Sequence, residues 1–165
     1  MNRLRIKSSE NWDIIGLSEV RKFGEAIIEL SEGELFSYIS KTKGQNVFMI
    51  KKELKYCIKE INGISERITV LTLMINRTSI NIIQVYAPTE ASMEEDIIEF
   101  YNLLYDTLNN YKARRTFVMG DFISKIGHRD YGEEEVMGLH GFGVRYERGD
   151  KLTQFAQGQR LKMRR

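Results

Sequence analysis

Apolar and polar positions along the chain change period several times, and each change predicts an element. "DIIGLSE" (Asp13–Glu19) is a short apolar run closing in Ser18 and Glu19, the pattern of a buried strand. "ELFSYIS" alternates weakly, and "NVFMIKK" predicts another strand ahead of the charged piece "ELKYCIKEI". The strongest strand signal is "ERITVLTLMINRTSINIIQVYAPTE". There Ile68, Val70, Leu71, Leu73 and Ile75, then Ile80, Ile82, Ile83 and Val85, flank a turn-like Asn76-Arg77-Thr78-Ser79, which predicts a hairpin. Pro88 cannot donate to a ladder and ends the second strand just after Tyr86.

"SMEEDIIEFYNLLYDTLNNYK" has helical spacing, with Ile97, Phe100, Tyr101, Leu104, Tyr105 and Leu108 on one stripe. Ser92 and Glu95 fit a capping box at its start. "RRTFVMGD" predicts a further strand, and "HRDYGEEEVMGLHGFGVRYERGD" a long glycine-rich loop. A last helix begins at "KLTQFAQ". Strands and helices mix without a strict βαβ period, so the class is α/β or α+β with a mixed sheet.

Composition narrows the picture little. A chain of 165 residues suffices for one domain with its own core. Lys and Arg total 25 against 23 Asp and Glu, a net charge of +2 that argues for neither nucleic acid nor membrane as partner. The basic ends, "MNRLRIK" and "RLKMRR", read most simply as solvated charge. Cys57 is the single cysteine, so no internal disulfide forms and a reducing, intracellular setting is expected. With His128 and His140 it cannot close a structural zinc site without several carboxylates. No apolar segment is long enough to suggest a membrane span.

Chemistry gathers at three strand ends: Glu19 after "DIIGLS", Tyr86 in "QVYAPT" and Asp121 in "VMGDF". Open α/β sheets place their sites at such rims. Two ionised carboxylates are hard oxygen ligands that suit Mg²⁺. Singly, each has an ordinary explanation: an acid closing a strand is usually a turn or cap residue, and a tyrosine near a proline usually packs.

In combination, "DIIGLSEVR", "INIIQVYAPTE" and "FVMGDFISKIG" resemble the successive motifs of the endonuclease/exonuclease/phosphatase superfamily, in the same order. "GEEEVMGLHGFGVRYERGDKL" and "YAPTEASMEEDIIEFYNLL" resemble the endonuclease domains of non-LTR retrotransposons and the craniofacial development protein 2-like host proteins that carry the same domain. The resemblance runs from about Asp13 to the C-terminus. It implies a four-layer α/β sandwich of DNase I type, two mixed sheets flanked by helices, with a single domain over residues 1–165. It also implies Mg²⁺-dependent hydrolysis of DNA phosphodiesters at one end of the sandwich and, on that basis alone, nuclear residence. By motif, Glu19 is the metal-binding glutamate, Tyr86 the tyrosine beside the scissile phosphate, and Asp121 the aspartate that orients the attacking water. Arg21 pairs with a carboxylate or phosphate, or is simply a surface arginine.

The chain departs from the pattern in three places. The family reads Gly-Asp-Phe-Asn where this chain has Ile123, which lacks the side-chain donor. The first strand with its metal-site asparagine has no counterpart, since neither Asn2 nor Asn11 lies in a strand-like context. The family's Trp-containing strand and final aspartate–histidine pair are not matched before Arg165; neither Trp12 nor His128 nor His140 replaces them. Tyr146 stands where relatives carry asparagine. The resemblance therefore implies an incomplete sandwich with impaired hydrolysis, and a protein partner is expected to cover the unpaired edges. The alternatives are a non-enzymatic remnant that binds nucleic acid or protein, a phosphatase of the same superfamily, and a translated fragment without function.

Overall fold

A computed structural model describes residues 12–18, 20, 22–44, 46–139 and 141–164. Eight strands form two four-stranded sheets. The first contains β1 (Ile14–Leu17), β2 (Lys22–Glu29), β3 (Leu35–Gly44) and β4 (Val47–Ile50), in the order β1-β4-β3-β2 and antiparallel throughout. The second contains β5 (Ile58–Gly63), β6 (Ile68–Ile75), β7 (Thr78–Tyr86) and β8 (Arg115–Asp121), in the order β5-β6-β7-β8. Its β7–β8 pair is parallel, because helix α1 (Glu94–Asn110) carries the chain back between those strands. Helix α2 (Glu147–Gly158) closes the described fold, and a short 3₁₀ helix over Lys52–Cys57 precedes β5.

Strand alternation explains the layering. On β6, Leu71 and Leu73 meet Leu35, Phe48 and Ile50 of the first sheet, with Ile82 of β7 completing this core between the sheets. The opposite face, with Ile68, Val70, Ile83 and Val85, packs against Phe100 and Leu104 of α1. Among the described residues the layers are therefore sheet, sheet and helix: the two packed sheets of a DNase I-like fold, as expected, with three layers described instead of four. The first sheet differs in being wholly antiparallel rather than mixed over its described strands.

Several boundaries shift from the expected ones. The hairpin turn is two residues, Asn76 and Arg77, both left-handed (φ 48° and 63°), so pairing resumes at Thr78. That geometry matches the right-handed twist of the flanking strands. The capping box falls one residue later: Asp96 accepts the Met93 amide at 3.2 Å, and α1 begins at Glu94. Tyr105 faces solvent instead of the core. Strand β2 carries no strong alternation and has no counterpart among the expected elements; β3 recruits it as an edge strand. Helix α2 starts four residues before Lys151, inside the segment expected to be loop.

Candidate functional site

Strands β7 and β8 end side by side. Tyr86 lies opposite Asp121 in the parallel register, and the Ala87 amide donates to the Asp121 carbonyl at 2.9 Å. Ser18, just after β1, accepts a hydrogen bond from Gln84 Nε2 at 3.2 Å, which brings the end of β1 near the same rim. Glu19 and Arg21 lie outside the described residues, as does His140. Tyr86 and Asp121 are thus brought together. His128 is exposed, and its backbone carbonyl accepts a hydrogen bond from Arg145 at 2.8 Å.

Gly120 shows why a glycine precedes the aspartate. Its φ is +140°, and a Cβ there would sit 1.9 Å from the Val85 carbonyl oxygen. The close approach lets β8 stay on the ladder while turning Asp121 outward. Gly120→Ala should cost about 2–3 kcal/mol of unfolding free energy, measurable by urea denaturation. A loss below about 0.5 kcal/mol would show that the strand end yields easily.

Beyond Gly120 the Asp121 carboxylate is exposed, and its Oδ1 accepts the Ile123 amide at 2.8 Å. This local turn holds Ile123 in the left-handed region, φ 47°. Asparagine tolerates that conformation and a β-branched residue does not, at a cost of about 1–2 kcal/mol. The backbone at position 123 thus has a shape that asparagine adopts more readily than isoleucine.

The floor of the rim is polar. Gln84 Nε2 donates to Ser18 Oγ at 3.2 Å, Ser18 Oγ to Asn46 Oδ1 at 3.4 Å, and Asn46 Nδ2 to the Gln84 carbonyl at 3.5 Å. Gln84 and Asn46 are both buried, and Gln84 Oε1 has no hydrogen-bond partner. An orphaned buried acceptor costs about 1–3 kcal/mol. Arg67 stands beside Tyr86, its guanidinium 6.0 Å from the ring centre and its Nη1 donating to the Tyr86 carbonyl at 3.4 Å.

A second group of residues, unanticipated from the sequence, fixes the loops around the rim. Arg148 donates to the carbonyls of Pro88 and Thr89 at 3.2 and 2.8 Å, tying α2 to the segment after Tyr86. Lys151 pairs with Glu94 and Glu147. Ser124 Oγ donates to the Phe122 and Arg148 carbonyls. Tyr101 packs on Phe155; burial pushes its phenol up to about 12, against the opposing hydrogen bond with Ser124 and the charge of Arg148. Arg145, nearly buried, grips Glu133 through both oxygens at 2.5 and 2.7 Å and donates to the Ile126 and His128 carbonyls. Tyr146 precedes α2, its amide donating to the Lys125 carbonyl while Lys125 Nζ lies 4.9 Å from its ring centre. The sequence signal was an arginine pair inside "VRYERGD", where a solvated loop would need no fixed charge.

Among the described residues no three His, Cys, Asp or Glu side chains converge as a metal cluster. Mg²⁺ usually takes only one or two protein carboxylates, with water filling the remaining positions. Asp121, exposed at a strand end, is chemically suited to be one of them.

The two packed sheets and the parallel β7–β8 pair are those of a DNase I-like fold. The chain superimposes on the solved endonuclease domain of TRAS1, a telomere-specific non-LTR retrotransposon, with a TM-score of 0.52 and 10% identity, over 88% of this chain and 59% of that one. In sequence it is similar to craniofacial development protein 2 of Bos taurus and of Tragulus javanicus, 27% identical to each over 156 residues. That match covers 92% of this chain but spans only 26% of the length of those relatives. No family model matches. No helix among the described residues is long and apolar enough to cross a membrane.

Proposed function

We propose that this chain is an endonuclease-type domain of retroelement descent, built for Mg²⁺-dependent hydrolysis of DNA phosphodiesters and slowed by its own residue at position 123. The observation that carries this reading is the pairing of Tyr86 with Asp121 across a parallel strand pair whose next turn ends in Ile123. Glu19 is the metal-binding carboxylate, Asp121 shares that site and orients the attacking water, and Tyr86 lies beside the phosphate. Bound Mg²⁺ would neutralise phosphate charge and favour a nucleophilic water. Asp121 would orient that water by accepting a hydrogen bond from it through Oδ2, since Oδ1 already accepts the Ile123 amide. Ile123 offers the reacting phosphate only backbone, so the donor that would stabilise the developing charge is missing.

Two measurements test this. Millimolar Mg²⁺ should stabilise the folded chain by about 0.6–1.4 kcal/mol at two to ten times its Kd, and Asp121→Ala should remove that gain. Supercoiled plasmid should be nicked at a rate about 10²–10³-fold below that of a domain with a side-chain donor at position 123. Rapid, Asp121-dependent nicking by the unaltered chain would overturn the slowed-enzyme reading. An Mg²⁺ response unchanged in Asp121→Ala would overturn the metal site.

A second reading, a binding remnant without turnover, has one observation in its favour. Among the described residues β1 pairs only with β4 and β8 only with β7, so two sheet edges lie open on the same side of the sandwich. Phe117 on β8 is 54% exposed. Open edges of this kind accept a further strand. Salt-dependent DNA binding without nicking, in both the unaltered chain and Asp121→Ala, would favour this reading over the first.

A further inference from the structure

Gln84 is one of four buried side chains among the described residues with an unpartnered polar atom, and it alone of these reaches the rim. It lies on β7 between Thr69 of β6 and Met119 of β8, 1% exposed, where the polar floor formed with Ser18 and Asn46 borders the apolar core between the sheets. Its Oε1 is unpaired, and its amide occupies space that Gly16 of β1 leaves empty: a Cβ on Gly16 would sit 1.8 Å from that oxygen. Gly16 has no positive φ, so space rather than backbone conformation is what demands a glycine there. A methionine or leucine would fill the same volume without burying an unanswered carbonyl. The packing of the two sheets therefore does not account for a glutamine.

What the amide does supply is a hydrogen bond that crosses the sandwich. Nε2 reaches Ser18 Oγ, which in turn reaches Asn46, whose Nδ2 returns to the Gln84 carbonyl. The triangle joins the end of β1, the residue just before β4, and β7 two residues short of Tyr86. Ser18 immediately precedes Glu19 in the sequence. We infer that Gln84 is a positioning residue: it fixes Ser18, at the end of β1, against the strand that carries Tyr86, and so holds the ends of the two strands in one spacing. The inference rests on the metal-site reading above for its functional consequence, but its structural half stands on the triangle alone.

The test is Gln84→Met in the full chain, read by three measurements. Without metal, the midpoint of thermal unfolding should equal or exceed that of the unaltered chain, because the orphaned carbonyl is gone. The apparent Kd for Mg²⁺, from the midpoint as a function of Mg²⁺ concentration, should weaken about fivefold or more. Amide hydrogen exchange at Gly16–Ser18 should quicken about tenfold, while Val70 and Ile83 are unchanged. Ser18→Ala removes the same bond from its half-buried end and should reproduce the last two effects, which keeps the test open if Gln84→Met fails to fold. A lower midpoint with unchanged Mg²⁺ affinity and unchanged exchange would make Gln84 a packing residue and overturn the inference. If the unaltered chain itself shows no Mg²⁺ response, the metal reading fails, and exchange decides alone. Faster exchange confined to Gly16–Ser18 then keeps Gln84 as the positioning residue of that strand end, and unchanged exchange removes it.

Discussion

Arg145→Ala should lower the unfolding free energy by about 3–5 kcal/mol, a large share of what a domain this size has to spare. The arginine side chain is 11% exposed and that of Glu133 10%, so neither charge has water to fall back on. Removing the guanidinium strands a buried carboxylate and frees the carbonyls of Ile126 and His128 at once. Lysine is no substitute: a single ammonium cannot grip both carboxylate oxygens while also bonding those carbonyls. Arg145→Lys should therefore keep less than half of the stability at stake. Urea denaturation of the three proteins provides the comparison, and a cost below about 1 kcal/mol for the alanine variant would mean that the loop is held by something else.

The pH dependence of that deficit gives a second check. The hydrogen bond from Arg145 is the main reason the Glu133 carboxyl is held below its ordinary range, with burial opposing it. A depressed folded-state value contributes stability that is fully present above the unfolded value, about 4.3, and is lost as pH falls through the folded one. The gap between the unaltered chain and Arg145→Ala should thus be widest near neutrality and shrink as pH drops below about 4. A gap that stays constant from pH 7 to pH 3 would argue that the lost carbonyl bonds, not the ion pair, dominate.

Most of the scaffold was legible because its strands are long and strongly patterned. The β6–β7 hairpin alternates over Ile68–Tyr86 and was foreseen nearly to its ends, and α1 shows its buried stripe through Ile97, Phe100 and Leu104. Strand β2 was not legible, since Ile27 and Ile28 are adjacent rather than alternating and both are exposed. An edge strand can be set by its neighbour's ladder without a pattern of its own. The rim was legible only through residue types at strand ends, and Tyr86 and Asp121 do meet there. The supporting shell was invisible for a physical reason. Gly16 and Gln84 are 68 positions apart, and the one explains the other only once two sheets are packed face to face. Arg148 and Pro88 are likewise joined by a bond across 60 positions, which no local spacing could reveal. The "VRYERGD" segment has a loop's composition, glycine and charge, yet its two arginines bond inward, Arg145 to Glu133 and Arg148 to the Pro88 carbonyl.

Placing asparagine at position 123 should do two things that are separable by experiment. The first concerns stability. Ile123 has φ 47°, a conformation that costs a β-branched residue about 1–2 kcal/mol and asparagine much less. Its side chain is only half-buried, so the apolar contact surrendered is worth about 1 kcal/mol. Ile123→Asn should therefore leave stability unchanged or raise it by up to about 1 kcal/mol, where the same change at an ordinary half-buried site would lower it. Ile123→Gly, which keeps the backbone shape and offers no donor, should behave alike in urea. The second concerns chemistry. The Ile123 amide is already committed to Asp121 Oδ1, so the turn that would aim a side-chain amide is in place before the mutation is made. A preorganised donor of this kind is worth about 10²–10³ in rate. Plasmid nicking should rise toward that factor in Ile123→Asn and stay at the level of the unaltered chain in Ile123→Gly. Because groups that act as a unit are not additive, the gain also reports on the rest of the rim. An increase below about tenfold, with stability intact, would mean that position 123 is not where the chain lost its turnover, and that the deficit lies in how the carboxylates are held. The Asn and Gly variants share the same turn and differ in one amide, so their difference in nicking isolates the donor from the strain.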